Sequence, residues 1–141
     1  MTTSSVVFDA SALVRAMNAE DENATKWLDA AVAGRLRGFV PELAFVEVTH
    51  AFSRYRRLRM IEADILRAAL RDLVALPLTV VSLRRLVESA FVVALERSLT
   101  VYDACYAVLA EANDAVLVTA DARLAATVHR SALLPAAAPP T

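Results

Sequence analysis

Four acidic side chains interrupt apolar surroundings in this 141-residue chain. Asp9 ends the run Val6-Val7-Phe8, and Asp121 follows Val116-Leu117-Val118-Thr119-Ala120. Asp103 lies among Val101, Ala104, Cys105, Ala107 and Val108, while Glu47 is flanked by Phe45, Val46 and Val48. Carboxylates are seldom placed in such settings unless they are paired or bound to a cation. Two of them about 4 Å apart repel by roughly 4 kcal/mol at an effective dielectric near 20. Several such terms would remove much of a typical stability of ~5–15 kcal/mol. Converging acids must therefore protonate or bind cations. An oxygen-only donor set, with no His or Cys cluster, suits Mg²⁺, or Mn²⁺ in its place. The matching chemistry is metal-assisted attack of water on a phosphodiester. Each acid also has a plain structural use: Asp9 in a turn, Asp121 as a helix cap, Asp103 against a helix dipole, Glu47 in an ion pair with an Arg.

Positioning these groups falls to short strands alternating with helices. Val6–Phe8 reads as a buried strand, with Ser11 as the N-cap of the helix that follows. Glu20-Asp21-Glu22-Asn23 opens a second helix, which Gly34 closes. Phe39-Val40 is a second strand, and Pro41 fits the first turn of a third helix. A helix over about 62–76 is ended by Pro77, before a strand at Leu78–Val81. Residues 83–99, apolar over much of their girth, predict one central helix. Thr100 caps the next, to about Ala112, and Ala115–Thr119 is a fourth strand. Asp121 begins a short helix, and Leu133-Leu134 is an edge strand. This alternation predicts an α/β fold: an α/β/α sandwich on a short parallel sheet of four to five strands. Asp9 and Asp121 would then share the edge outside the carboxyl ends of the strands, where such sheets bind ligands. With only two Gly, the chain has no P-loop and no dinucleotide fingerprint. Residues 1–134 form a single domain, and the Ala/Pro-rich tail, 135–141, is expected to be disordered.

The net charge of −1 does not advertise a nucleic-acid binder. Residues are 57% hydrophobic, yet no run approaches the ~20 uncharged residues of a membrane span. The lone Cys105 cannot form an internal disulfide, and no secretory signal is expected ahead of the first strand. A cytoplasmic protein without membrane contact is expected. Fourteen of the fifteen basic residues are Arg, and Arg54, Arg56, Arg57 and Arg59 make the only dense basic run.

VVFDASAL around Asp9, PELAFVEVTHAF around Glu47, TVYDACYAVLA around Asp103 and LVTADARLA around Asp121, in that order, resemble the PIN domain. In particular they are similar to the VapC-type toxins of bacterial toxin–antitoxin pairs. The resemblance spans Val6 to about Leu134. It implies a Mg²⁺- or Mn²⁺-dependent endoribonuclease, usually a homodimer, silenced by a cognate antitoxin. The family's catalytic, metal-holding acids fall on Asp9, Glu47, Asp103 and Asp121, and its supporting hydroxyls on Ser11 and Thr119. Two positions depart from the family's habit. His50 stands where Asn is frequent, one helical turn from Glu47, and is read either as a partly buried, satisfied His or as a contact to Glu47 or to substrate phosphate. Arg123 sits close behind Asp121. Arg54, Arg56 and Arg57 are candidate contacts to the RNA backbone, or simply a solvated helix end. The competing reading is a catalytically silent PIN-like module that binds RNA or a protein partner. A phosphoacceptor receiver domain would need a second acid directly after the first strand and a late Lys; the only Lys is Lys26.

Overall fold

The computed structural model describes residues 3–141. Five strands form one sheet, in the order β3-β2-β1-β4-β5, and every neighbouring pair runs parallel. The strands are β1 (Ser5–Phe8), β2 (Arg37–Pro41), β3 (Thr79–Val81), β4 (Val116–Thr119) and β5 (Ser131–Leu133). The α/β expectation holds. Between them run α1 (Ala10–Met17), α2 (Glu22–Val32), α3 (Leu43–Arg57), α4 (Ala63–Ala75), α5 (Val87–Arg97), α6 (Val101–Ala112) and α7 (Ala122–Ala125).

The strand order explains where a site can form. The chain moves outward from β1 through β2 to β3, then returns across the sheet to β4 and β5. Right-handed crossovers put the connecting helices of the two excursions on opposite faces. The reversal leaves a crevice between the ends of β1 and β4, at a topological switch point. There Phe8 pairs with Val118, and Asp9 N–H donates to the Val118 carbonyl at 3.2 Å. One residue further, Asp9 and Thr119 face each other. The last three residues of β1, Val6, Val7 and Phe8, are fully covered at 0–1% exposure.

Local structure departs from the sequence expectations at three places. Ser11 lies inside α1 rather than capping it; the cap is Asp9, whose side chain accepts from Ala12 N–H. Pro41 ends β2 instead of starting a helix. Its ring nitrogen can be spared there because the pairing with β1 already stops at Phe39. The segment 83–99 is not one central helix. It breaks into a 3₁₀ turn, Leu83–Arg85, and α5. α5 presents Ala90 and Ala94 to the interior but leaves Phe91 and Leu95 59% and 69% exposed. Residues 135–137 of the Ala/Pro-rich tail lie against α2. Asn23 Nδ2 donates to the Pro135 carbonyl at 2.7 Å and Trp27 Nε1 to the Ala137 carbonyl at 3.0 Å. Among the described residues no helix is long and apolar enough to cross a membrane.

Candidate active site

Asp9 is the best-fixed of the four acids. It is 6% exposed. Its Oδ1 accepts from Ser11 Oγ at 2.6 Å and from Ala12 N–H at 2.9 Å, and its Oδ2 accepts from the fully buried Thr119 Oγ1. Burial pushes the carboxyl pKa up, the three donors pull it back, and Asp103 pushes it up further. The two hydroxyls are themselves anchored. Ser11 Oγ accepts from Ala120 N–H at 2.9 Å, and Thr119 Oγ1 accepts from Asp121 N–H at 3.0 Å. This lattice ties the β1–α1 turn to the β4–α7 turn.

Asp103, in the first turn of α6, is raised by burial and then by Asp121, against the opposing charge of Arg123. Arg123 Nη2 lies 3.2 Å from Asp103 Oδ2. Glu47, on α3, is raised by burial and by Asp103. It accepts a 2.6 Å hydrogen bond from the Tyr106 hydroxyl. Glu47 and Asp9 together hold the Tyr106 phenol far above its usual range, behind the larger effect of its own burial. Asp121 caps α7, accepting from Arg123 N–H at 3.0 Å and Leu124 N–H at 3.3 Å. Capping and proximity to Asp103 therefore coexist in one residue. Asp103 is the shared neighbour: each of the other three acids is coupled to it.

Among the described residues no three His, Cys, Asp or Glu side chains are gathered at metal-binding distance. The donor chemistry nonetheless fits a hard divalent cation, being carboxylate oxygen throughout. Burial first, and then the charge of Asp103 on Asp9 and Glu47 and of Asp121 on Asp103, disfavour the ionised carboxylates, a condition that such a cation relieves.

Other expected contacts are placed elsewhere. His50 is exposed rather than partly buried, and it lines a shallow groove with Phe45, Val46, Thr49 and Ser53 instead of touching Glu47. Arg54, Arg56 and Arg57 form the basic end of α3; Arg56 lies 3.8 Å from Glu62. Sequence reading missed Tyr106, which looks like one more core residue of α6. Its signal was helical spacing: it follows Asp103 by three residues and so shares the acid's face. Arg123 was noticed only as an oddity, and it is the counter-ion of Asp103.

Residues 6–129 match the PIN domain family. No curated protein matches the chain. Among solved structures, the protein PAE2754 from Pyrobaculum aerophilum is 26% identical with a TM-score of 0.73, over 92% of this chain and 83% of that one. A toxin–antitoxin complex from Klebsiella pneumoniae is 17% identical with a TM-score of 0.56, over 82% and 86%. VapBC2 from Rickettsia felis, bound to a DNA fragment from its promoter, is 12% identical with a TM-score of 0.64, over 90% and 96%. The last two likenesses are of fold.

Proposed function

The chain belongs to the PIN domain family, and from that premise we propose that it is a divalent-metal-dependent endoribonuclease, the toxin of a toxin–antitoxin pair. The observation that carries this reading is the fixed Asp9 carboxylate at the sheet's switch point, with Asp103 as the common neighbour of Asp9, Glu47 and Asp121. Asp9 and Asp103 would hold Mg²⁺ or Mn²⁺, with Asp121 and Glu47 completing the set. When bound, the ion supplies Lewis-acid activation of an RNA phosphodiester toward water. The chain's own residues prepare that setting. Ser11 and Thr119 fix the Asp9 carboxylate in one orientation, which is how surrounding hydrogen bonds tune a ligand. Tyr106 does the same for Glu47 by donating its hydroxyl proton. Arg123 balances the charge of Asp103 and is available to a substrate phosphate.

The toxin role is supported by the toxin–antitoxin complex and the VapBC2 complex among the structural neighbours. Self-association as a homodimer and docking of an antitoxin are part of the proposal. The exposed apolar side chains of α5 are surface of the kind such partners cover.

The test is cleavage of single-stranded RNA by the purified protein with Mg²⁺ or Mn²⁺. EDTA should abolish cleavage, and Asp9→Asn should lower kcat/KM by more than ~100-fold, since losing even a supporting partner of a ligand costs about 10–100-fold. Cleavage that survives tight chelation would remove the metal from the proposal. A fold that cuts nothing, or that tolerates changes at all four acids, would be a silent binding module.

A further inference from the structure

A cavity of about 310 Å³ adjoins the acids without including any of them. Its walls are the residues next to three of those acids. Ala10 and Ser11 follow Asp9, Ala51 lies one helical turn beyond Glu47, and Ala120 precedes Asp121. Ser11 belongs to both places, since the hydroxyl that holds Asp9 also lines the cavity. The volume is at the small end of ligand pockets, roughly 300 Å³ and upward.

The rest of the lining is Val14, Arg15, Glu20 and Tyr55. The Tyr55 ring is half-buried and steadied from within by stacking on Phe52, at a centroid distance of 6.4 Å and an interplanar angle of 27°. Arg15 is held by Asp21 through one nitrogen at 3.2 Å, leaving further guanidinium donors. Glu20 receives Asn18 Nδ2 at 3.2 Å and keeps acceptor capacity. Burial, and then the adjoining Glu20, push the Tyr55 phenol up while Arg15 and Arg54 oppose. These groups therefore sit together. A flat ring, a fork of donors and a carboxylate acceptor are what proteins use to stack an unpaired base and read its polar edge.

We infer that this cavity receives one unpaired nucleobase of the RNA, from a nucleotide neighbouring the cleaved linkage, stacked on Tyr55 and read by Arg15 and Glu20. The inference rests on the nuclease reading above. It makes Tyr55 a binding residue and Glu20 a selector among bases, both separate from the acids that act on the phosphate. A protein side chain is the rival occupant; the position of the cavity beside three acids favours the substrate.

The experiment uses a single-stranded RNA oligonucleotide with a mapped cut site and a series carrying one abasic position on either side of it. Binding is read by fluorescence anisotropy on the Asp9→Asn protein, and cut-site choice on the otherwise unchanged protein. One abasic position should weaken binding by about 5- to 150-fold, the range of a lost base–aromatic stack. Tyr55→Leu should weaken the base-bearing RNA equally and add no loss on that abasic RNA. Tyr55→Phe should restore most of the affinity, and Glu20→Gln should change which base is preferred beside the cut. The inference is overturned if Tyr55→Leu, with a native circular dichroism spectrum, binds base-bearing RNA like its parent, or loses equally on abasic RNA. It is also overturned if these variants weaken only a protein partner. Should Tyr55→Leu fail to fold, unchanged base preference in the exposed Glu20→Gln overturns it. In each of these cases RNA cleavage by the parent leaves the nuclease reading standing; absence of cleavage removes both.

Discussion

At the scale of single residues, the site is a set of carboxylates whose ionised form is held at a cost. Asp9, Glu47 and Asp103 are all raised first by burial, and the charge of Asp103 or, for Asp103 itself, of Asp121 adds to that. Removing one charge should stabilise the apoprotein while ending its activity. Asp103→Asn is the clearest case because Asp103 neighbours all three others. Its pairing with Arg123 involves a side chain 61% exposed, and exposed pairs contribute little. In EDTA, Asp103→Asn should raise Tm by on the order of 2–5 °C. Mg²⁺ should raise the Tm of the parent by mass action and narrow the gap. An equal or lower Tm for Asp103→Asn in EDTA would mean that the acids do not strain the fold. The four acids were legible in the sequence because charge amid apolar neighbours is conspicuous. Tyr106 was not, because a tyrosine in an apolar helix has the same appearance whether or not its hydroxyl meets an acid.

At the scale of elements, α5 shows what periodicity hides. Its apolar residues surround the helix, which suggested burial on all sides. Small Ala90 and Ala94 let it pack closely inward while Val87, Phe91 and Leu95 face out. Hydrophobicity alone does not say which side a neighbour covers. What fastens α5 is polar and non-local, and so absent from the pattern. Arg97 grips both oxygens of Glu111 on α6, at 2.8 and 2.9 Å, and donates to the Thr127 carbonyl at 3.0 Å. His129 N–H adds a 3.3 Å contact to Glu111. Arg97 holds the Glu111 carboxyl below its usual pKa. A depressed acid contributes stability that is present above its unfolded value, about 4.3, and lost as pH falls through the folded value. Glu111→Gln should therefore lower Tm at pH 7 by roughly 2–5 °C, with the deficit closing toward pH 3. A deficit of the same size at pH 3 would show that shape, not charge, does the fastening. The strand pairs behaved differently. The βα alternation led directly to the parallel sheet and to one shared edge for Asp9 and Asp121, because register follows from which apolar runs must be buried together.

At the scale of the whole molecule, a net charge of −1 conceals an uneven distribution. Asp9 and Asp121 lie just past the ends of β1 and β4, while α3 carries Arg54, Arg56 and Arg57 at its far end. An anionic RNA would be repelled by the first region and attracted by the second, so binding should depend on where the chain's few concentrated cations lie. Arg54 and Arg57 have no carboxylate within salt-bridge distance among the described residues, whereas Arg56 shares Glu62 at 3.8 Å. Free cations release counterions when they meet phosphate, and a single strand contributes a slope of about 0.7 in log K against log salt per contact. Replacing Arg54 and Arg57 by Ala should thus flatten the slope by about 1.4 for single-stranded RNA on the Asp9→Asn protein, with Tm unchanged. Because phosphate contacts position a strand without reading it, the same double variant should weaken all RNA sequences alike, in contrast to Glu20→Gln. A slope equal to that of the parent would place the RNA backbone away from the end of α3, leaving Arg123, which pairs with Asp103, as a cation at the site.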